Sequence, residues 1–179
     1  VSAPLVSGST FPVGTTVVVW MATDVGGNTQ TCYFSVTVND TQGPNISCPA
    51  SQSLITANGT CAAVATYAAT ASDNCTASPG VHHSFSGGTV KTLTAGTGSG
   101  STFNKGITTV TLRATDAAGL TRTCTFRVTV MDMERPVIPT CSTVAPVNAA
   151  NGLCSATVTY TNPAFTDNCD PTNGTTTRI

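Results

Sequence analysis

Eight cysteines are the most reactive groups in this chain of 179 residues. Such a density points to disulfides formed in an oxidising compartment. Cysteines that hold a metal come as close pairs such as Cys-x-x-Cys, and the sequence has none. The two histidines, His82 and His83, are neighbours. In a strand they point to opposite faces, which makes a poor chelate, so solvent or crevice positions are expected for them. Calcium is the one ion to weigh, at Asp167, Asn168 and Asp170 or at Asp24 and Asn28. It needs several oxygen ligands, and each cluster supplies only one or two carboxylates. Asx-turn chemistry accounts for Asp73-Asn74 and Asp167-Asn168 without an ion. No metal or other cofactor is therefore assigned.

Catalysis finds no support. No Gly-x-Ser-x-Gly elbow presents a serine. The run Gly96-Thr97-Gly98-Ser99-Gly100 is followed by neither a lysine of the phosphate-loop kind nor a helix, so it reads as a loop. Five Asn-x-Ser/Thr sequons, at Asn39, Asn45, Asn58, Asn74 and Asn173, fall at expected turns or junctions and are candidate glycan acceptors. Asn58-Gly59 and Asn173-Gly174 also read as plain turns. Charged residues are 8% of the chain and the net charge is -1. No basic surface for nucleic acid or for an acidic membrane follows from that. No apolar run is long enough to span a bilayer, and no signal peptide is present. The chain is expected to be a mature piece of a larger extracellular or cell-surface protein.

The elements that carry these residues are strands. Thr and Val abound, and β-branched side chains lie easily on a pleated surface. The strands recur. Gly8-Ser9-Thr10-Phe11, Ala22-Thr23-Asp24, Thr31-Cys32, Phe34 and Val36-Thr37-Val38 reappear 92 residues later, without a gap, as Gly100-Ser101-Thr102-Phe103, Ala114-Thr115-Asp116, Thr123-Cys124, Phe126 and Val128-Thr129-Val130. Cys48, Gly59-Thr60-Cys61 and Asp73-Asn74-Cys75 return as Cys141, Gly152-Leu153-Cys154 and Asp167-Asn168-Cys169, after shifts of 93 and then 94. Residues 1–41 thus read as the back half of one repeat, 42–132 as a complete repeat and 133–179 as the front half of another. Alternation along Cys61, Ala63, Ala65, Tyr67 and along Cys154, Ala156, Val158, Tyr160 predicts half-buried strands. The fold class is all-β: tandem immunoglobulin-like antiparallel sandwiches, one complete and one split between the chain ends. Trp20 corresponds to Leu112, which favours a packing role.

These motifs resemble the hyalin repeat, an immunoglobulin-like extracellular module. The resemblance rests on Asp-Asn-Cys at 73–75 and 167–169, Phe-Pro-Val-Gly-Thr-Thr at 11–16, Ala-Thr-Asp at 22–24 and 114–116, and Thr-Cys-x-Phe-x-Val-x-Val at 31–38 and 123–130. The complete repeat departs at Asn104-Lys105, where the other copy has Pro12-Val13. The resemblance implies adhesion or matrix building and no catalytic activity.

In a seven-stranded sandwich of this kind, Cys48 opens the first strand and Cys75 returns to the same pole. Cys48–Cys75 and Cys61–Cys124 are the expected disulfides, with Cys141–Cys169 by repeat logic, although four cysteines allow three pairings. Cys32 and Cys154 remain, one in each half repeat, as expected partners. The half sandwich must bury Val17, Val19, Phe34, Val36 and Val38 against something, with Ala156, Val158 and Tyr160 offered by the other half. The halves could close within one chain, meet head to tail between identical copies, or belong to one continuous array. The last two both give a string of sandwiches. A structural subunit of an extracellular filament is the leading expectation, and an adhesion or ligand-binding repeat of a large surface protein is the alternative. Glycans are possible further partners.

Overall fold

The computed structural model describes residues 7–170 and 176; the sequon at Asn173 lies outside them. The described residues form eleven strands and no helix, so none is available to cross a membrane in helical form. Along the chain they are β1 (Gly14–Thr23), β2 (Thr29–Val38), β3 (Asn45–Ser47), β4 (Gln52–Ile55), β5 (Ala62–Ala65), β6 (Thr70–Ser72), β7 (Gly80–Gly87), β8 (Lys91–Ala95), β9 (Ser101–Asn104), β10 (Gly106–Thr115) and β11 (Thr121–Met131).

The complete repeat is a β-sandwich. One layer is a five-stranded sheet in the order β4-β11-β10-β7-β8. Facing it are two small ladders, β3-β6 and β5-β9. Every second residue of β10 is buried (Thr108, Val110, Leu112 and Ala114), as period-two patterning demands. Of these, Val110 and Leu112 join a core with Phe126, Val128 and Val130 from β11, Phe85 from β7, and Ala63, Ala65 and Phe103 from the opposite layer. Tyr67 closes the edge, with its ring 4.8 Å from that of Phe126.

One pairing departs from an all-antiparallel sandwich: β4 runs parallel to β11, Gln52 opposite Val128. The first strand pairs with β6 as β3, breaks at Cys48-Pro49-Ala50 and crosses to β11 as β4. Pro49 lacks an N–H, so the ladder cannot continue through it.

Outside the sandwich, β1 and β2 form a hairpin joined at Asp24–Asn28. Residues 133–170 form no strand; they hold one bridge, Val137 to Thr166. The strand expected along Cys154, Ala156, Val158 and Tyr160 is absent, and those four side chains are exposed. In the complete repeat the matching strand, β5, is held by β9, which is distant in sequence. The residues that match β9 are Ser9–Pro12, and among the described residues no ladder joins them to 155–158. His83 is also not at the surface: it is buried, its Nδ1 is 3.0 Å from the Gly96 carbonyl, and its ring lies beside Phe85.

Candidate functional site

Two regions combine chemistry with incompleteness: the face of the β1–β2 hairpin and the junctions between repeats. On the hairpin, Val18 and Trp20 from β1 and Phe34 and Val36 from β2 line a groove of about 260 Å³ with Phe11, Ser7 and Gly8. Their counterparts 92 residues on, Val110, Leu112, Phe126, Val128 and Phe103, are the buried core of the sandwich. The groove is therefore a core face without its opposite layer. Trp20, placed in the packing position of Leu112, is 55% exposed.

Val17 and Val19, expected in this core, lie on the other face of β1. They match Thr109 and Thr111, which alternate with the buried residues of β10. The residues that replace them are Val18 and Trp20. The gapless match of Val18 to Val110 was the signal that could have set the parity, because a one-residue slip exchanges the two faces of a strand. Phe34, Val36 and Val38 do share the face of Phe126, Val128 and Val130. Ala156, Val158 and Tyr160 are exposed and are not brought to it.

The disulfides also differ from expectation. Cys48 is bonded to Cys124 and Cys61 to Cys169; Cys32, Cys75, Cys141 and Cys154 are free. The pairs Cys48–Cys75, Cys61–Cys124 and Cys141–Cys169 are therefore replaced, and Cys32 is not joined to Cys154. The register of β3 with β6 gives the reason. Ser47 stands opposite Thr70 and Asn45 opposite Ser72. Antiparallel strands carry Cys48 off one end of this ladder and Cys75 off the other. Cys48 instead reaches Cys124 on β11, within the same repeat. Cys61 bonds forward, to the repeat that follows.

That forward bond joins two tight turns. In the first, the Thr60 amide donates to the Ala57 carbonyl and the Ala57 amide to the Ala62 carbonyl, both at 2.9 Å. Gly59 permits the turn with φ of +70°. In the second, Asp167 Oδ1 accepts from the Cys169 amide at 2.9 Å and the Asp170 amide at 2.8 Å. Those amides hold the Asp167 carboxyl below its ordinary range. Asn168 Nδ2 then donates to the Thr60 carbonyl at 2.8 Å, and the Gly59 amide donates to Glu134 Oε2 at 2.8 Å. Lys105 closes the junction through Asp170, at hydrogen-bonding range, and Asp132 at 3.7 Å. The Asp170 hydrogen bond raises the Lys105 pKa.

Two of the four free cysteines, Cys75 and Cys154, sit in the repeat counterparts of these two turns. Asp73 Oδ1 accepts from the Cys75 amide at 3.0 Å and the Thr76 amide at 2.8 Å. The Leu153 amide donates to Ala150 and the Ala150 amide to Ser155, again at 2.9 Å, with Gly152 at φ of +76°. Both halves of a second clasp are thus folded without being joined. Burial, and then the carboxylates Asp40 and Asp73, push the Cys75 thiol pKa up.

Of the sequons, Asn39, Asn45, Asn58 and Asn74 are all exposed. Asn74 Nδ2 donates to Cys75 Sγ at 3.1 Å, in the place where Asn168 makes its inter-repeat contact. Of the two places weighed for calcium, Asp24 spends its carboxylate on its own turn, accepting from Gly26, Asn28 and the Asn28 side chain at 2.8–2.9 Å. Asp167 and Asp170 stand with Asp132 in a group that already contains Lys105.

The sequence profile of the HYR domain matches residues 1–38 and 39–130. Hyalin of Strongylocentrotus purpuratus is 30% identical in an alignment of 172 residues that covers 93% of this chain. The chain spans only 13% of that relative's length.

Proposed function

We propose, on the premise that this chain belongs to the HYR domain family, that it is a non-catalytic, extracellular, adhesion-type structural unit whose repeats string head to tail into a filament. In this reading the front half, residues 133–179, is completed by the back half, residues 1–41, of a following unit. The observation that carries it is the hairpin groove of Val18, Trp20, Phe34 and Val36, which matches a buried core residue for residue. Water-facing apolar area of this kind is stabilised by covering it, at roughly 25 cal/mol per Å².

Strand pairing supports the same completion. The bridge Val137–Thr166 corresponds to the β3–β6 ladder, both of whose strands lie within one half repeat. Residues 155–158 correspond to β5, whose partner β9 is matched by Ser9–Pro12 in the other half. The local pair forms and the divided one does not.

Cysteine arithmetic closes as well. Translated by one repeat, the Cys48–Cys124 bond joins Cys141 to Cys32 of the following unit. Translated likewise, the Cys61–Cys169 bond joins Cys154 to Cys75 of the following unit. All eight cysteines are then used once. Each bond forms with loss of two protons and two electrons, accepted by a protein or small-molecule disulfide of the oxidising compartment, which is reduced to two thiols. Asn39, Asn45 and Asn58 remain open to glycans, whereas a glycan on Asn74 would compete with the clasp.

The test is peptide mapping of assembled material without reduction. Linked peptides Cys32–Cys141 and Cys75–Cys154 are expected, together with a blue shift of Trp20 emission on assembly. Four alkylatable thiols in the assembled material, or a Cys32–Cys154 link, count against the reading. A second reading, a binding repeat within one large surface protein, draws on the small share of hyalin that the chain covers. It predicts the same linked peptides, but reduction would then leave a high-mass species instead of single units.

A further inference from the structure

We propose that Asp40, Asp73 and Asp116 form a calcium site at the junction between the β1–β2 hairpin and the complete sandwich. The three come from separate places: the linker after β2, the Asp-Asn-Cys turn after β6, and the turn between β10 and β11. One oxygen of each, taken together, lies within 4.8 Å of the others. Two oxygens that each stand about 2.4 Å from one ion are at most about 4.8 Å apart, so the spread suits shared coordination.

Each carboxylate is anchored by one oxygen and open at the other. Asp40 Oδ1 accepts from the Gln42 amide at 3.0 Å, Asp73 Oδ1 from the amides of Cys75 and Thr76, and Asp116 Oδ1 from the Leu120 amide at 2.8 Å. The Oδ2 atoms of all three are buried and accept no hydrogen bond among the described residues. Asp116 is only 7% exposed, so its open oxygen is held away from water. A buried carboxylate is retained when it is paired or binds a metal. No ion pair among the described residues involves any of the three.

The next junction shows what is missing. Asp132 and Asp167 are the repeat equivalents of Asp40 and Asp73. There Lys105 supplies the positive charge, reaching Asp132 and Asp170. At the first junction the residue matching Lys105 is Val13. One acidic junction thus carries its own ammonium, and the other presents three oxygens to an outside cation. A hard divalent ion that tolerates irregular geometry and completes its shell with water suits such a set, and calcium does both.

The experiment is calcium titration of the full chain by calorimetry, with thermal unfolding in calcium, in magnesium and in chelator. One site is expected, with a dissociation constant of roughly 0.1–1 mM as in extracellular calcium modules. Saturating calcium should raise the melting temperature by several degrees, and magnesium should do so less. Asp116→Asn keeps the turn acceptor and removes the charge, so calcium binding should weaken at least tenfold. Val13→Lys copies the other junction from an exposed position and should weaken it too, which covers the case in which the Asp116 variant does not fold. Asp167→Asn should leave the affinity unchanged. A wild-type chain indifferent to calcium overturns the site, as does wild-type affinity in a folded Asp116→Asn or in Val13→Lys. Zinc binding that is abolished by alkylating Cys75, without any calcium response, overturns it equally.

Discussion

Hairpin β1–β2 and hairpin β10–β11 pair in the same register, Gly14 opposite Val38 and Gly106 opposite Val130, ten residue pairs each. Their turns close through the same hydrogen bonds: Asp24 amide to Asn28 carbonyl at 3.0 Å, and Asp116 amide to Leu120 carbonyl at 3.1 Å. Their surroundings are opposite. Phe126 is 5% exposed where Phe34 is 51% exposed. A two-stranded ladder needs only neighbours in sequence, β-branched residues and a turn, so it forms in both places. A core needs a second layer, and only β10–β11 has one. Residues 133–170 teach the converse: the alternation of a strand is there, but without its distant partner the ladder does not form.

The largest difference between the hairpins should appear on truncating the paired phenylalanines. Phe126→Ala opens a cavity in a closed core and should cost roughly 3–5 kcal/mol. Phe34→Ala removes a half-exposed ring and should cost under about 1 kcal/mol in the unassembled chain. Urea unfolding of the sandwich measures both. Equal costs would mean that the β1–β2 face is already covered in solution. In assembled material the Phe34→Ala cost should climb toward that of Phe126→Ala.

Next in size are the matched cysteines. The Cys48–Cys124 bond closes a separation of 76 residues. Removing it with Cys124→Ser should cost about 2–5 kcal/mol, chiefly by freeing the unfolded chain. Cys32→Ser touches an exposed free thiol and should change stability by under about 0.5 kcal/mol in the isolated chain. Thermal melts of the two variants decide, and a large loss in Cys32→Ser would place a bond where none is drawn here.

What could be read from the sequence divides along the same line. The repeat, the all-β class, the hairpins and the Asx turns at Asp73 and Asp167 rest on spacings of a few residues, and those spacings are explicit in the chain. The bonds Cys48–Cys124 and Cys61–Cys169 depend on which strand passes which, and on the parallel crossing of β4 onto β11. Neither follows from alternation alone. Val17 and Val19 lie one step of parity from the core face, and the sign of that parity is carried by Val110, which matches Val18 from 92 residues away. The acidic group at the first junction joins residues from three separated places, and the one at the second adds Asp132 to the turn that holds Asp167 and Asp170; no local spacing announces either grouping. Lys105 and Val13 differ visibly in the sequence, but the meaning of that difference needs the fold.

A smaller effect separates Tyr67 from its counterpart Tyr160, which is exposed. The Tyr67 hydroxyl donates to the Thr97 carbonyl at 3.0 Å, and burial pushes its pKa from 10.0 up to about 12. A raised pKa means that the folded state holds the proton more tightly than the unfolded one. The contribution is intact below pH 10.0 and is lost as pH rises from there through about 12. Ultraviolet titration should show one phenol ionising last, and Tyr67→Phe should remove that late step. A late step that persists in the variant would assign it to another tyrosine.

The smallest expected effect compares the two hairpin turns. Asp24 is fully exposed, and its hydrogen bonds, with the Asn28 side chain first, hold its carboxyl below the ordinary 3.8. A lowered pKa stabilises the turn above 3.8, and that contribution is lost as pH falls through the folded value. Asp24→Ala should therefore loosen one end of β1–β2 and leave the sandwich unaffected. Hydrogen exchange should quicken at Ala22, Asn28, Gln30 and the amide of position 24, whose bonds close this end of the ladder, and stay unchanged in β10 and β11, with the melting of the sandwich unaltered. Acid should reproduce the quickening in the wild-type chain but not in the variant. If exchange at those four residues is indifferent to both, the β1–β2 ladder is held by contacts beyond its own turn, and the contrast between a self-sufficient hairpin and a face awaiting its second layer loses its first half.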